Sequence, residues 1–413
     1  MPNIKPFKGI RPDKRYAIQV AAPPYDVINS DEARELTKNN AKSYLHVSKP
    51  EIDLPKDVNL YDKKVYQKGK ENLQKFIQDG ILIQDKKPCL YIYRQIMGEH
   101  EQTGIVAAAS VEDYNNKIIK IHEYTRADKE KDRTTHVNTL NANTGPVFLT
   151  YHAKDSINSI VESKKANSEP LYDFTSNDRI RHTIWKLDDN EKILELQNEF
   201  KNLDCLYISD GHHRSASAAN VQKIRMENNT NHTGSEEYNF FLSVIFPDEQ
   251  MYIMDYNRVV VDLSENTISE FLEKLKYKFV VQEQNSHFKP DKKHLFGMYL
   301  NGKWYSLQAK ENSFEKSDPV KSLDVSILYE NLLKPILAIG DPRKDNRINF
   351  VGGIRGLEEL EKLVNSGKYK VAFALYPTSI DDLMSVADAD KVMPPKSTWF
   401  EPKLRSGLIT HLL

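Results

Sequence analysis

Leu206-Tyr207-Ile208-Ser209-Asp210-Gly211-His212-His213-Arg214-Ser215-Ala216-Ser217-Ala218-Ala219-Asn220-Val221-Gln222-Lys223-Ile224 decides how this chain is read. Its first four residues are a short apolar run of strand type. From Ser215 the run is Ala-rich and suits a helix. Asp210 to Arg214 therefore falls where a strand becomes a helix. A helix N-terminus offers unpaired N–H groups and the positive end of its dipole, which suit phosphate. Gly211 permits a sharp turn or a close approach of backbone. The plain structural alternative is that Asp210 caps the helix and its neighbours are solvated. An acid, a glycine, two imidazoles and a guanidinium in five consecutive residues favour the functional reading.

Composition sets the frame around this stretch. With 413 residues the chain has room for two or three domains, and 39% hydrophobic residues suffice for a sizeable core. A net charge of −1 argues against a nucleic-acid partner held by overall charge. The two cysteines, Cys89 and Cys205, form no C-x-x-C, so neither a zinc knuckle nor a disulfide framework is indicated. Cys205 is expected to be a small buried hydrophobe. No apolar run of about 18 residues occurs and Met1 to Phe7 lacks a signal-peptide core, so a soluble, cytoplasmic protein without a membrane partner is expected.

The pattern along the chain predicts a mixed α/β (α+β) fold in three parts. Residues 1–105 read as an N-terminal α/β segment. A helix from Asp31 is capped by Asn29 or Ser30, a second spans 60–79 and stops at Gly80, and Leu90–Ile96 and Thr103–Val111 are strands joined through Gly98-Glu99-His100. Residues 106–237 hold the chemistry. There Ile118–Ile121 is a strand ending at His122-Glu123, Arg126 to Arg133 a charged segment, Val147–Tyr151 a strand and Glu191–Phe200 a helix. Residues 238–413 read as a C-terminal α/β domain. Phe240–Phe246 and Met251–Asp255 are expected to form a hairpin around Pro247-Asp248, and Leu295–Leu300 and Lys303–Leu307 another on Asn301-Gly302. Ser379 to Asp382 resembles a capping box. A Pro-stiffened strap, 393–407, closes the chain's polar inventory.

Asp210-Gly211-His212-His213-Arg214 resembles the phosphate-binding motif of the ParB/sulfiredoxin superfamily, and most of all the form in its free-serine kinases. The whole chain resembles a bacterial and archaeal family known as a domain of unknown function. The stretches that carry this are Ala22 to Ile28, Ile121 to Thr125, Asp132-Arg133, Asp210 to Arg214 and Met393 to Gly407. The resemblance implies a ParB/sulfiredoxin-like core in the central part. Free-serine kinases also carry a His-Glu pair upstream of the motif, so it implies that Glu123 is the catalytic base and that His122 lies at the substrate. A carboxylate beside a hydroxyl can accept its proton during phosphoryl transfer. The sulfiredoxin-type nucleophilic Cys is replaced here by His212, which argues against redox chemistry.

The remaining candidates follow by residue type. Arg133 can clamp a phosphate bidentately. In the strap, Lys396 and Arg405 are expected to reach phosphate, with Thr398 and Trp399 near substrate and Trp399 and Phe400 packing. Tyr25-Asp26, after Pro23-Pro24, is either a polar pair over the site or a rigid turn. His212 and His213 point about 100° apart on a helix and do not chelate one ion, and no other histidine has ligand spacing to them. Mg²⁺ is expected on nucleotide phosphates, with Asp210 as its protein ligand. The resulting expectation is a small-molecule kinase. Glu123, Asp210 and His212 are catalytic, and Gly211, His213 and Arg214 hold phosphate. ATP or ADP is the donor and a small hydroxyl compound, best free L-serine, the acceptor. The alternative is a nucleotide-binding switch of ParB type without small-molecule chemistry.

Overall fold

The computed structural model describes residues 1–413. The fold is mixed α+β, as the sequence predicts, and its backbone groups into two units, Met1–Met251 with Pro402–Leu413, and Tyr252–Glu401.

The first unit is built on a nine-stranded sheet. Its strands are β1 (Ile4–Lys5), β2 (Leu90–Met97), β3 (His100–Ser110), β4 (Ile119–Lys120), β5 (Val147–Tyr151), β6 (Tyr172–Thr175), β7 (Arg181–Leu187), β8 (Leu206–Asp210) and β9 (Phe240–Pro247). They run in the order β4-β8-β5-β9-β3-β2-β7-β6, with β1 added on β3. The sheet is mixed: β4 with β8 and β5 with β9 are parallel, the rest antiparallel. β3 is buried from Gln102 to Ser110, and such a strand reads as a continuous apolar run because both its faces are covered. The helices Asp155–Ala166 and Asn190–Lys201 press Ile157, Ile160, Ile193, Leu196 and Phe200 into the sheet's core. A second core joins Ala33, Leu73, Phe76 and Leu140 with Ile10 and Tyr44.

Local signals read correctly where they are short-range. Asn29 caps Ser30–Thr37 with a full capping box, Lys63–Gln78 is helical, and Gly80 follows at φ +67°. β2 and β3 form the expected hairpin. The expected boundary at 105/106 falls inside β3, whose two halves share one sheet with strands from both sides of it.

Two readings are corrected. The charged segment Arg126 to Arg133 is the start of helix α1 (Ala127–Leu140), whose buried positions, His136, Val137 and Leu140, come only after the charges. β9 does not pair with the strand that follows it. It is buried along nearly its whole length between β3 and β5, and Asp248 accepts hydrogen bonds from His152 (2.8 Å) and the Ala153 amide (3.0 Å) at the point where the chain turns away. Ile253–Met254 pairs instead with Trp399–Phe400.

The second unit carries a six-stranded antiparallel sheet of β10 (Tyr256–Val260), β11 (Phe279–Gln284), β12 (Leu295–Leu300), β13 (Lys303–Ala309), β14 (Ile348–Gly352) and β15 (Val371–Ala374), in the order β11-β13-β12-β15-β10-β14. β12 and β13 turn on Asn301 (φ +51°) and Gly302 (φ +78°), the two positive φ values that a type I′ turn requires. Ser379 and Asp382 form the expected capping box. No helix in the structure is long and apolar enough to cross a membrane.

Candidate active site

Strand register assembles the site. β4 runs parallel to β8 with Ile119 opposite Leu206 and Lys120 opposite Tyr207. β4 ends at Lys120, two residues before His122-Glu123, and β8 ends at Asp210, so the pairing carries both segments to the same end of the sheet. Ligands of open α/β sheets bind beyond such carboxyl ends. The His122 amide donates to Nε2 of His212 at 3.4 Å, and the two rings meet edge-on with centroids 4.5 Å apart. Glu123 is exposed beside them, and ligand atoms of His122, Glu123 and His212 all lie within 4.8 Å of one another.

The motif itself is a bulged strand end and a helix start. The β8–β5 register shifts between Ile208 and Asp210, which re-aims the chain. Gly211 follows at φ +105° as N-cap of helix α2 (His212–Asn228). A Cβ there would sit 3.3 Å from the Cα of Val147. No side chain caps this helix, so Asp210 is not its cap. Asp210 instead accepts from Lys403 Nζ at 3.0 Å and lies 3.9 Å from the Arg214 guanidinium. Arg214 also donates to the Pro146 carbonyl and, at 3.1 Å, to Asp26. Nearby, the Arg133 guanidinium stands 4.2 Å over the Tyr25 ring and is held by Asp132 at 2.8 Å, which also accepts from the Tyr66 hydroxyl at 2.8 Å.

These surroundings set the charges. Burial works against the Asp210 carboxylate, but Lys403 and Arg214 outweigh it and hold Asp210 ionised well below the usual carboxylate range. Burial lowers His122 to about 4, and burial with the neighbouring His122 holds His212 well below its ordinary value. Burial also lowers His213. The imidazoles are therefore neutral near pH 7 and serve as donors, acceptors or ligands rather than as cations. Three polar atoms here are buried without a hydrogen-bond partner: Nδ1 of His122, Nδ1 of His213 and Nε of Arg214. Buried polar atoms in native proteins are nearly always paired, so such a cluster marks a place for a ligand or water.

The donor sets bear on metals. Asp210 already faces two cations, so it would meet Mg²⁺ only by exchanging Lys403. No other histidine has ligand spacing to the His212-His213 pair in the sequence, yet the fold brings His122 to His212 from 90 residues away. His122, Glu123 and His212 offer two neutral imidazoles and a carboxylate, a set that suits a transition ion better than Mg²⁺.

The strap divides. Arg405 pairs with Asp178 and donates to Ser176 at 3.1 Å and to His182 at 3.5 Å, all on and around the β6–β7 hairpin. The strap cation on Asp210 is Lys403, which residue-type reasoning passed over in favour of Lys396 and Arg405. Lys396, Thr398 and Trp399 belong to the second unit. There Lys396 lies 5.8 Å from the Tyr256 ring centre, and Trp399 packs edge-on against Tyr256 and against Gly352. Of the Tyr25-Asp26 alternatives, Asp26 does reach the site, on Arg214. Cys205, expected buried, is partly exposed at the start of β8.

None of the curated proteins matches the chain. Among solved structures, a free serine kinase in complex with AMP is similar at 14% identity, covering 74% of this chain and 91% of its own, with a TM-score of 0.35. A conserved hypothetical protein from Pyrococcus furiosus is similar at 16% identity over 75% of this chain and 95% of its own, also with a TM-score of 0.35. The model of one protein family, described as "Protein of unknown function (DUF1015)", matches residues 4–326. With more than three quarters of its length matched, the chain belongs to that family.

Proposed function

We propose that this protein is a small-molecule kinase that moves a phosphoryl group from ATP or ADP to a hydroxyl, with free L-serine as acceptor. One observation carries the reading: a carboxylate, Glu123, clusters within 4.8 Å with His122 and with His212, the first residue of the uncapped helix α2, beside three buried polar atoms that lack partners. Phosphoryl transfer needs this pairing, a base for the acceptor and oriented donors for the phosphate. The motif's resemblance to that of free-serine kinases selects the acceptor.

In this reading Glu123 takes the proton of the acceptor hydroxyl as its oxygen bonds to phosphorus. The bond from phosphorus to the bridging oxygen breaks, and the nucleotide leaves as ADP from ATP, or as AMP from ADP. The α2 N–H groups, His213 and Arg214 hold the phosphate oxygens, as helix N-termini and guanidinium forks do. Asp210 orients Arg214 and Lys403. His122 and His212, neutral and buried, fix the position of Glu123. The nucleotide phosphates would hold Mg²⁺ without an all-protein cage, and the ion would supply charge neutralisation there.

The test is ³¹P NMR of the purified full chain with Mg²⁺, ATP or ADP, and L-serine. O-phosphoserine formed in proportion to enzyme supports the proposal. Nucleotide binding without product, for serine and for a panel of small alcohols, favours a binding switch instead and overturns it.

A further inference from the structure

The second unit holds a cavity of about 550 Å³, open on one side and within the size range of small-molecule sites. Its wall is mainly apolar, with Phe314, Val325, Ile327 and Ile348 among its residues. One turn of that wall, Tyr329–Leu333, is a π-helix, a geometry that recurs at functional sites.

Charge distinguishes one wall residue from the rest. Glu315 is paired with Lys321 at 2.7 Å, Asp341 with Arg343 at 2.9 Å, and Glu330 with Lys334 at 3.6 Å. Arg258, on β10, is only 3% exposed and has no carboxylate partner. It lies over Phe350 at 5.2 Å and donates to two carbonyls, those of Tyr256 and of Lys396 (2.9 Å). A guanidinium has five N–H donors, and these two bonds commit two of them. A buried cation without an anion is costly, and burial pulls Arg258 down to about 10. A second wall residue, Ser326, has a buried hydroxyl without a partner.

We propose that this cavity binds a small apolar carboxylate, with the carboxylate on the Arg258 fork and the hydrocarbon part against Phe314, Val325, Ile327 and Ile348. A single uncompensated cation calls for a single negative charge, and the planar fork matches a carboxylate bidentately. The site is independent of the phosphoryl-transfer reading and needs no nucleotide.

Calorimetry and saturation-transfer NMR on the full chain, without nucleotide, test it with 3-phenylpropanoate and 4-methylpentanoate as probes. The matching primary amides and phenyl phosphate serve as controls. Saturable binding of a carboxylate, at least about tenfold tighter than its amide, is expected. Arg258→Met should remove that preference. The wild-type comparison of acid with amide stands even if the variant fails to fold. No carboxylate binding at millimolar concentration, equal binding of acid and amide, or tighter binding of phenyl phosphate would each overturn the proposal.

Discussion

At the scale of single residues, the candidate site is a set of charges arranged around neutral rings. Arg214 is the cation of the motif, whereas His213 is held neutral by burial. Arg214→Ala should therefore weaken nucleotide binding by roughly 1.5–3 kcal/mol, the worth of a charge-assisted contact. His213→Ala should cost less, about 0.5–1.5 kcal/mol, the range for a neutral hydrogen bond. Calorimetric titration with ADP orders the two, and a larger loss at His213 would contradict the assigned charges. Residue types in the motif were legible because five of them are consecutive. Their partners were not: Asp26 meets Arg214 across 188 residues and Lys403 meets Asp210 across 193, and no local pattern encodes such pairs.

At the scale of elements, parallel pairing of two short strands does the assembly. The sequence gives each strand as an apolar run and gives the helix after Gly211. The 87-residue offset that pairs Ile119 with Leu206 and Lys120 with Tyr207 follows from the sheet as a whole. The same holds for β9, whose local turn signal suggested a hairpin but whose apolar length is buried between two strands from elsewhere in the chain. Helix α1 carries no apolar periodicity in its first two turns, because those turns are charged. The strap is the element with the sharpest mutational contrast. Lys403 touches Asp210, while Lys396 stands by Tyr256 in the second unit. Lys403→Ala should lower phosphoryl-transfer turnover about tenfold or more through the loss of one charge-assisted contact. Lys396→Ala should lower it less. Steady-state kinetics on both variants decide the point, and the reverse order would give Lys396 the part assigned here to Lys403.

At the scale of the whole molecule, buried neutral histidines tie stability to pH. Burial holds His122 at about 4 and His136 and His182 at about 3. Their unfolded values lie near 6.5, so between about pH 6.5 and 4 the unfolded chain binds protons that the folded chain refuses. Stability is then complete above that window and falls as pH drops through it, by on the order of 1 kcal/mol per histidine at pH 5.5. A urea midpoint markedly lower at pH 5.5 than at pH 7.5 is expected, and equal midpoints would show that these rings are not held neutral. The most direct test concerns the proposed phosphoryl-transfer centre where the two strands end. Glu123→Gln keeps the size and hydrogen bonding of the side chain but cannot accept a proton. In single-turnover transfer from ATP or ADP to L-serine, the variant should be slower by about 10²–10⁴-fold while its nucleotide affinity stays within about twofold of wild type. Wild-type turnover in Glu123→Gln would contradict the account.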